Sequence, residues 1–188
     1  MNKTHTKRIA INGAMIAMVF LATYFTKIPI PATQGYFNLG DTVIMVAAML
    51  LGRGSGLLAG ALGSLLADVV GGFFIFAPLT FVVKGLEGFI VGSFASLKGS
   101  WKSGWLGKAL AVIAGALTMV AGYFIGEAYI LSIFDKAFGY TVAVVALPVN
   151  LLQGGISALI AYMLSAILRK AGSTRRAKSA KLSPPGGW

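Results

Sequence analysis

Cysteine is absent from this chain of 188 residues, and histidine occurs once, at His5. Without thiolates and with one imidazole there is no ligand set for a haem, an iron–sulfur cluster or a zinc ion. No disulfide framework is possible, and no cofactor is expected. Acids are scarce too: 5 Asp and Glu stand against 16 Lys and Arg, and charged residues make up only 11% of the chain. A soluble domain carries about a quarter charged residues, so an ordinary soluble globule is excluded. The 57% hydrophobic content excludes a disordered chain. What the chain has is long apolar runs and 25 glycines. This is the composition of a small, all-α, polytopic membrane protein.

Six runs fit transmembrane helices of about 20 residues. They extend from about Ile9 to Thr26, Gly40 to Leu51, Gly56 to Val70, Ala77 to Leu97, Leu106 to Leu131 and Tyr140 to Leu168. Lys27 and Pro29-Ile-Pro31 stop the first. The second is short and is expected to extend into the loop before it, with Arg53-Gly54-Ser55 as the turn after it. Gly71-Gly72 ends the third, and the last two are long enough to tilt. The first run has the length of a span, not of a cleaved signal peptide. One domain over residues 1–170 is expected, followed by a basic, disordered tail over 171–188 that ends in Ser183-Pro-Pro-Gly-Gly-Trp188.

The distribution of charge explains the net +11. Lys3, Lys7 and Arg8 precede span one, and Arg53 follows span two. Lys98, Lys102 and Lys108 follow span four. Arg169, Lys170, Arg175, Arg176, Lys178 and Lys181 follow span six. The opposite loops carry Lys27 and the offset pair Asp135 and Lys136. By the positive-inside rule both termini are cytoplasmic. The positive rim then faces anionic lipid, and no nucleic-acid partner is needed to account for it.

Small residues recur at four-residue spacing, which lets helix backbones approach closely in lipid. Gly52, Gly56, Gly60 and Ser64 form one ladder; Ala59, Gly63 and Ala67 form another; Gly88, Gly92 and Ser96 form a third. Ala10, Gly13, Ala14 and Ala17 do the same on span one. Each set reads either as packing inside the bundle or as a docking face for another membrane protein. Span one is the best candidate for docking.

Ionisable groups inside spans are costly and need a cavity or a partner. Lys84 and Glu87 lie three apart on one face, and form either a self-neutralising pair or a ligand contact. Asp41 opens span two, where the helix dipole favours it as a structural group. Asp68 lies near the end of span three. Tyr123 and Glu127 share a face of span five, as Asn150 and Gln153 do on span six after Pro148. These groups reach a similar depth, as a small polar ligand requires. The loop Ile28–Asn38 adds Tyr36 and Asn38. Phe73 and Phe74, in the loop Gly71–Pro78, read as an interfacial belt. No phosphate-binding loop and no Ser/His/Asp set occur. Uphill movement of a solute would therefore need energy from a partner.

Asn38-Leu-Gly-Asp-Thr42, Leu51-Gly-Arg-Gly-Ser-Gly56, Gly63-Ser-Leu-Leu-Ala-Asp68, Phe76-Ala-Pro-Leu-Thr80, Lys84-Gly-Leu-Glu-Gly88 and Pro148-Val-Asn-Leu-Leu-Gln153 follow one another in order. Over about residues 8–168 this set resembles the substrate-binding S components of energy-coupling factor (ECF) vitamin transporters, in the branch with riboflavin-type and hydroxymethylpyrimidine/pyridoxine-type members. The resemblance implies a six-helix subunit in a bacterial plasma membrane that captures a small vitamin from outside. It implies docking on a transmembrane T component driven by two cytoplasmic ATPases, with Ala10, Gly13, Ala14 and Ala17 as the docking face. It also implies a vitamin site near the outer side, closed by the first external loop. The residues expected there are Tyr36, Asn38, Lys84, Glu87, Tyr123, Glu127, Asn150 and Gln153. Trp101 and Trp105 fall in a cytoplasmic loop and Trp188 in the tail, so a stacking lid must use Tyr or Phe. No enzymatic activity is expected. The alternative reading is a membrane-embedded enzyme, or a small channel, using Lys84, Glu87 and Asp68.

Overall fold

The computed structural model describes residues 3–96 and 105–182. Lys98, Trp101, Lys102 and the segment from Ser183 to Trp188 lie outside the described residues. Six principal helices are present: α1 (Lys3–Phe25), α2 (Gly40–Leu51), α3 (Arg53–Gly71), α4 (Ala77–Ser96), α5 (Trp105–Phe134) and α6 (Tyr140–Leu182). Between α1 and α2 lies a two-stranded hairpin, β1 (Ile28–Ile30) and β2 (Gly35–Phe37).

The hairpin replaces the expected helical extension of span two. Pro29 and Pro31 supply no backbone donors, and each biases the residue before it towards extended backbone. Ile28 therefore pairs with Phe37 and Ile30 with Gly35 in antiparallel register. A 3₁₀ turn, Pro31–Thr33, and Gln34 at φ 56° reverse the chain. The Thr26 hydroxyl donates to Ala22 O at 2.6 Å and accepts from Leu39 N at 2.8 Å, tying the end of α1 to the start of α2. Asn38 Oδ1 accepts from Gly40 N at 2.8 Å, satisfying a free donor at the start of α2.

Five helices are long and apolar enough to cross a membrane; α2, with 12 residues, is not. At 1.5 Å per residue α2 is about 18 Å long, against a hydrocarbon core of about 30 Å. It sits instead in the middle of the bundle, touching every other helix. Ile44, Met45, Ala47, Ala48 and Met49 are buried there. Met45, Ala48 and Met49 pack with Val91 of α4, Ala111 and Val112 of α5, and Ala158 and Ala161 of α6.

The turn after α2 is Gly52 alone, at φ 92° and ψ 176°, a conformation open to glycine. Arg53, Gly54 and Ser55, expected as the turn, form the first turn of α3. The last part of α5, Gly126–Leu131, is π-helical. The helix α6 runs on through 171–182, where a disordered tail is expected. That stretch is rich in Ala, Lys and Arg, which favour helix, and the first proline comes at 184.

Two of the small-residue ladders meet each other. A Cβ on Gly88 would strike the backbone of Gly56, one on Gly60 the carbonyl of Lys84, and one on Gly92 the backbone of Arg53. Helices α3 and α4 thus approach as closely as glycine allows. The Ala59, Gly63, Ala67 face turns to α1, where a Cβ on Gly63 would lie 2.7 Å from Ile16 O. Ala10, Gly13, Ala14 and Ala17 lie exposed on the opposite side of α1.

Candidate functional site

The close packing of α3 on α4 sets the depth of the charged groups. Lys84 sits one turn below Thr80 on α4 and is 2% exposed. Its ammonium meets Asp41 Oδ1 of α2 and lies 3.5 Å from Glu87 Oε2. The pairing of Lys84 with Glu87 is thus present, but Asp41 is the closer partner. Asp41 still lies in the first turn of α2, where the dipole favours an anion. Its second oxygen accepts from Gln153 Nε2 of α6 at 2.8 Å. Gln153 Oε1 in turn accepts from Asn38 N at 2.8 Å and from Asn38 Nδ2 at 3.3 Å. One hydrogen-bonded chain therefore runs from the foot of the hairpin, through α6 and α2, to the ion pairs on α4.

Above this floor, between the hairpin and helices α3 to α6, lies a cavity. It encloses about 470 Å³ of space, its mouth included. Tyr36 and Asn38 line it from the hairpin segment, Asp68 from α3, Thr80 from α4, Tyr123 and Glu127 from α5, and Asn150 and Gln153 from α6. Ile30, Phe76, Ala146 and Val149 supply its apolar wall. Thr80 Oγ1 and the Tyr123 hydroxyl share a hydrogen bond at 2.9 Å. The Tyr36 hydroxyl donates to Asp68 Oδ1 and holds the hairpin against α3.

The hairpin is fastened a second time by Lys27. Its ammonium donates to Ala67 O at 3.1 Å, where the ladder facing α1 ends. It also lies 4.3 Å from the ring centre of Tyr36 and 4.6 Å from that of Phe73, a cation–π arrangement that draws the rings together. Burial lowers the pKa of Lys27, partly opposed by the Asp68 charge. Burial and the same carboxylate raise that of Tyr36, which keeps its proton for Asp68. Phe73 packs edge-on against Tyr36, with ring centres 4.7 Å apart. It is therefore part of this fastening, and not the outward belt that the sequence suggests. Phe74, 67% exposed, does face outward.

Six of the eight residues expected at the ligand thus line one cavity: Tyr36, Asn38, Tyr123, Glu127, Asn150 and Gln153. Lys84 and Glu87 are not among its lining residues and lie beneath it, tied to Asp41 and to each other. Gln153 lines the cavity, but both ends of its amide are engaged within the protein. Sequence reasoning missed the partnership of Asp41 with Lys84 and the place of Thr80 in the wall. Thr80 was findable, since it shares a helical face with Lys84 at i, i+4. Trp105 is 72% exposed at the start of α5, away from the cavity.

A family model of the S component of ECF-type riboflavin transporters matches residues 3–170. The thiamine precursor transporter HmpT of Lactococcus lactis subsp. cremoris is 25% identical over 173 residues, covering 92% of this chain and 93% of that protein. A protein of Pyrococcus woesei, described as an uncharacterised protein in the gap 3′ region, is 45% identical over 113 residues. That match covers 60% of this chain and 72% of the Pyrococcus protein.

Proposed function

The chain belongs to the family of ECF-type riboflavin transporter S components, and from that membership we propose that it is the vitamin-capturing subunit of an ATP-driven importer. The ligand is riboflavin or a pyrimidine- or pyridoxine-type compound, taken from outside the cell. Residues 1–170 form one membrane domain with six spans, α2 being completed by the hairpin above it. Both termini are cytoplasmic and the hairpin end is external, in keeping with the positive-inside distribution of Lys and Arg. The small face of α1 docks on a transmembrane T component served by two ATPases.

The observation that carries this reading is the cavity at the hairpin end. It combines an apolar wall with a few converging polar groups, the usual make-up of a small-molecule site. It lies beneath a short hairpin held to the bundle by the Tyr36–Asp68 and Lys27–Ala67 contacts. Lys84, the residue on which an enzyme would most depend, has both charge partners inside the protein.

Calorimetry of the purified protein against a panel of B vitamins tests the proposal. One vitamin is expected to bind well below the micromolar range. Failure of every vitamin to do so would sink it.

A further inference from the structure

Among the acids at and beneath the cavity, Glu127 is the one for which the protein supplies neither an ion-pair nor a hydrogen-bond partner. It is 4% exposed and lines the cavity, and its Oε2 is buried without a hydrogen-bond partner. The two ion pairs among the described residues, Lys84 with Asp41 and Lys84 with Glu87, do not include it. Burying a carboxyl group in this way is costly unless something completes it. Asp41, by contrast, has Lys84 and Gln153, and Asp68 has the Tyr36 hydroxyl on Oδ1, its Oδ2 being buried without a partner. Glu127 also lies in the π-helical stretch Gly126–Leu131. Such stretches are rare and occur frequently at functional sites. Gly126, beside it, packs against the side chain of Leu79, whose methyl groups would lie 2.4 Å from an added Cβ.

A carboxyl group fits one kind of ring edge well. An amino group beside a ring nitrogen offers a donor next to an acceptor. A carboxylate, which only accepts, pairs with that edge through two parallel hydrogen bonds when the ring nitrogen is protonated. The imide edge of an isoalloxazine sets one N–H between two carbonyl oxygens, and a carboxylate placed there meets like-charged lone pairs. Asp68 adds a second acid to the wall, while both nearby lysines are engaged, Lys84 by carboxylates and Lys27 by a carbonyl and aromatic rings. The polar surface offered to a ligand thus favours donors and positive charge.

We propose that Glu127 reads the polar edge of the ligand, and that the ligand is a flat nitrogen heteroaromatic with an amino group beside a ring nitrogen, the aminopyrimidine class. This rests on the vitamin-binding reading above and chooses among its ligands.

The test is calorimetry on the full-length protein in detergent with three probes: 4-amino-5-hydroxymethyl-2-methylpyrimidine, its 4-oxo counterpart lacking the amino group, and riboflavin. The aminopyrimidine is expected to bind at least about 100-fold tighter than the 4-oxo compound, because a site built to hydrogen-bond a group rejects the analogue without it. Glu127→Leu should remove that preference and leave the thermal midpoint equal or higher, since it takes an unanswered polar group out of the interior. Glu127→Gln, which keeps a donor and an acceptor, should recover part of the affinity. Equal binding of the 4-oxo compound, or unchanged affinity in Glu127→Leu, would overturn the assignment. So would a lowered thermal midpoint in Glu127→Leu accompanying its loss of binding. Tight binding of riboflavin without the aminopyrimidine would overturn it and leave the vitamin-binding reading standing. Failure of every vitamin in the wider panel would bring down both.

Discussion

Helices α1 and α3 carry the same signal in sequence and use it in opposite ways. Both repeat small residues every four positions. On α3 the two small faces are covered: Gly56 and Gly60 lie against the backbone of α4, and Gly63 lies against Ile16 and Val19 of α1. On α1 the small face is bare. Ala10, Gly13, Ala14 and Ala17 are exposed, and a Cβ on Gly13 would meet nothing within 4 Å. Met15, Ile16 and Val19, on the other side of α1, make its contact with the bundle. Spacing of small residues therefore marks where a backbone can be approached, and says nothing about which helix approaches it. The bare face suits a partner helix, because in lipid close packing must supply what the hydrophobic effect supplies in water.

Substitutions on the two helices should separate these uses. The largest effect is expected from Gly60→Leu, whose side chain would enter the space of the Lys84 carbonyl and the Ile44 methyl group. Overpacking of this kind costs on the order of 3 kcal/mol or more when backbone blocks the way. Size-exclusion chromatography in detergent should show little monodisperse protein; a well-folded variant would mean that the α3–α4 contact can open. Next is Ala14→Trp, which should abolish vitamin uptake by the reconstituted transporter while leaving ligand affinity and the thermal midpoint of the isolated subunit unchanged. Loss of binding would instead put Ala14 in the structural interior and erase the contrast between the helices.

Smaller effects sharpen the comparison. Gly63→Ala should lower stability by about 1–3 kcal/mol, read by denaturant titration, since the added methyl group presses on Ile16 and Val19. Gly13→Ala should do the reverse. With open space around it and a better helix former in place, α1 should gain up to about 1 kcal/mol. A destabilised Gly13→Ala would show that the bare face is covered within the subunit.

Much of the bundle was legible beforehand because helix and span signals are local. The end of α2 at Leu51 and the start of the last helix at Tyr140 follow from the sequence, since an apolar run and its flanking glycine lie within a few residues of one another. The hairpin was missed for a comparable reason: a three-residue strand carries too little periodic pattern to register. Part of the cavity's lining was legible, and its wiring was not. Tyr36, Asn38, Tyr123, Glu127, Asn150 and Gln153 converge as expected. Which of them remain open to a ligand depends on partners far along the chain. Asp41 and Lys84 are 43 residues apart, Tyr36 and Asp68 are 32 apart, and Asn38 and Gln153 are 115 apart.

The sequence by itself determined that this chain forms apolar helices, where most of them begin and end, and which of their faces are small. These are properties of single segments, because in lipid each backbone must satisfy its own hydrogen bonds and each apolar run partitions by its own composition. Only the tertiary structure decided that the small faces of α3 are used up and that of α1 is not. It also decided that Lys84 belongs to Asp41 and that Glu127 is left without a partner. Those outcomes are set by which surfaces meet when the helices pack, and a charge or a methyl-sized gap is answered by whatever side chain arrives opposite it, however distant in the chain.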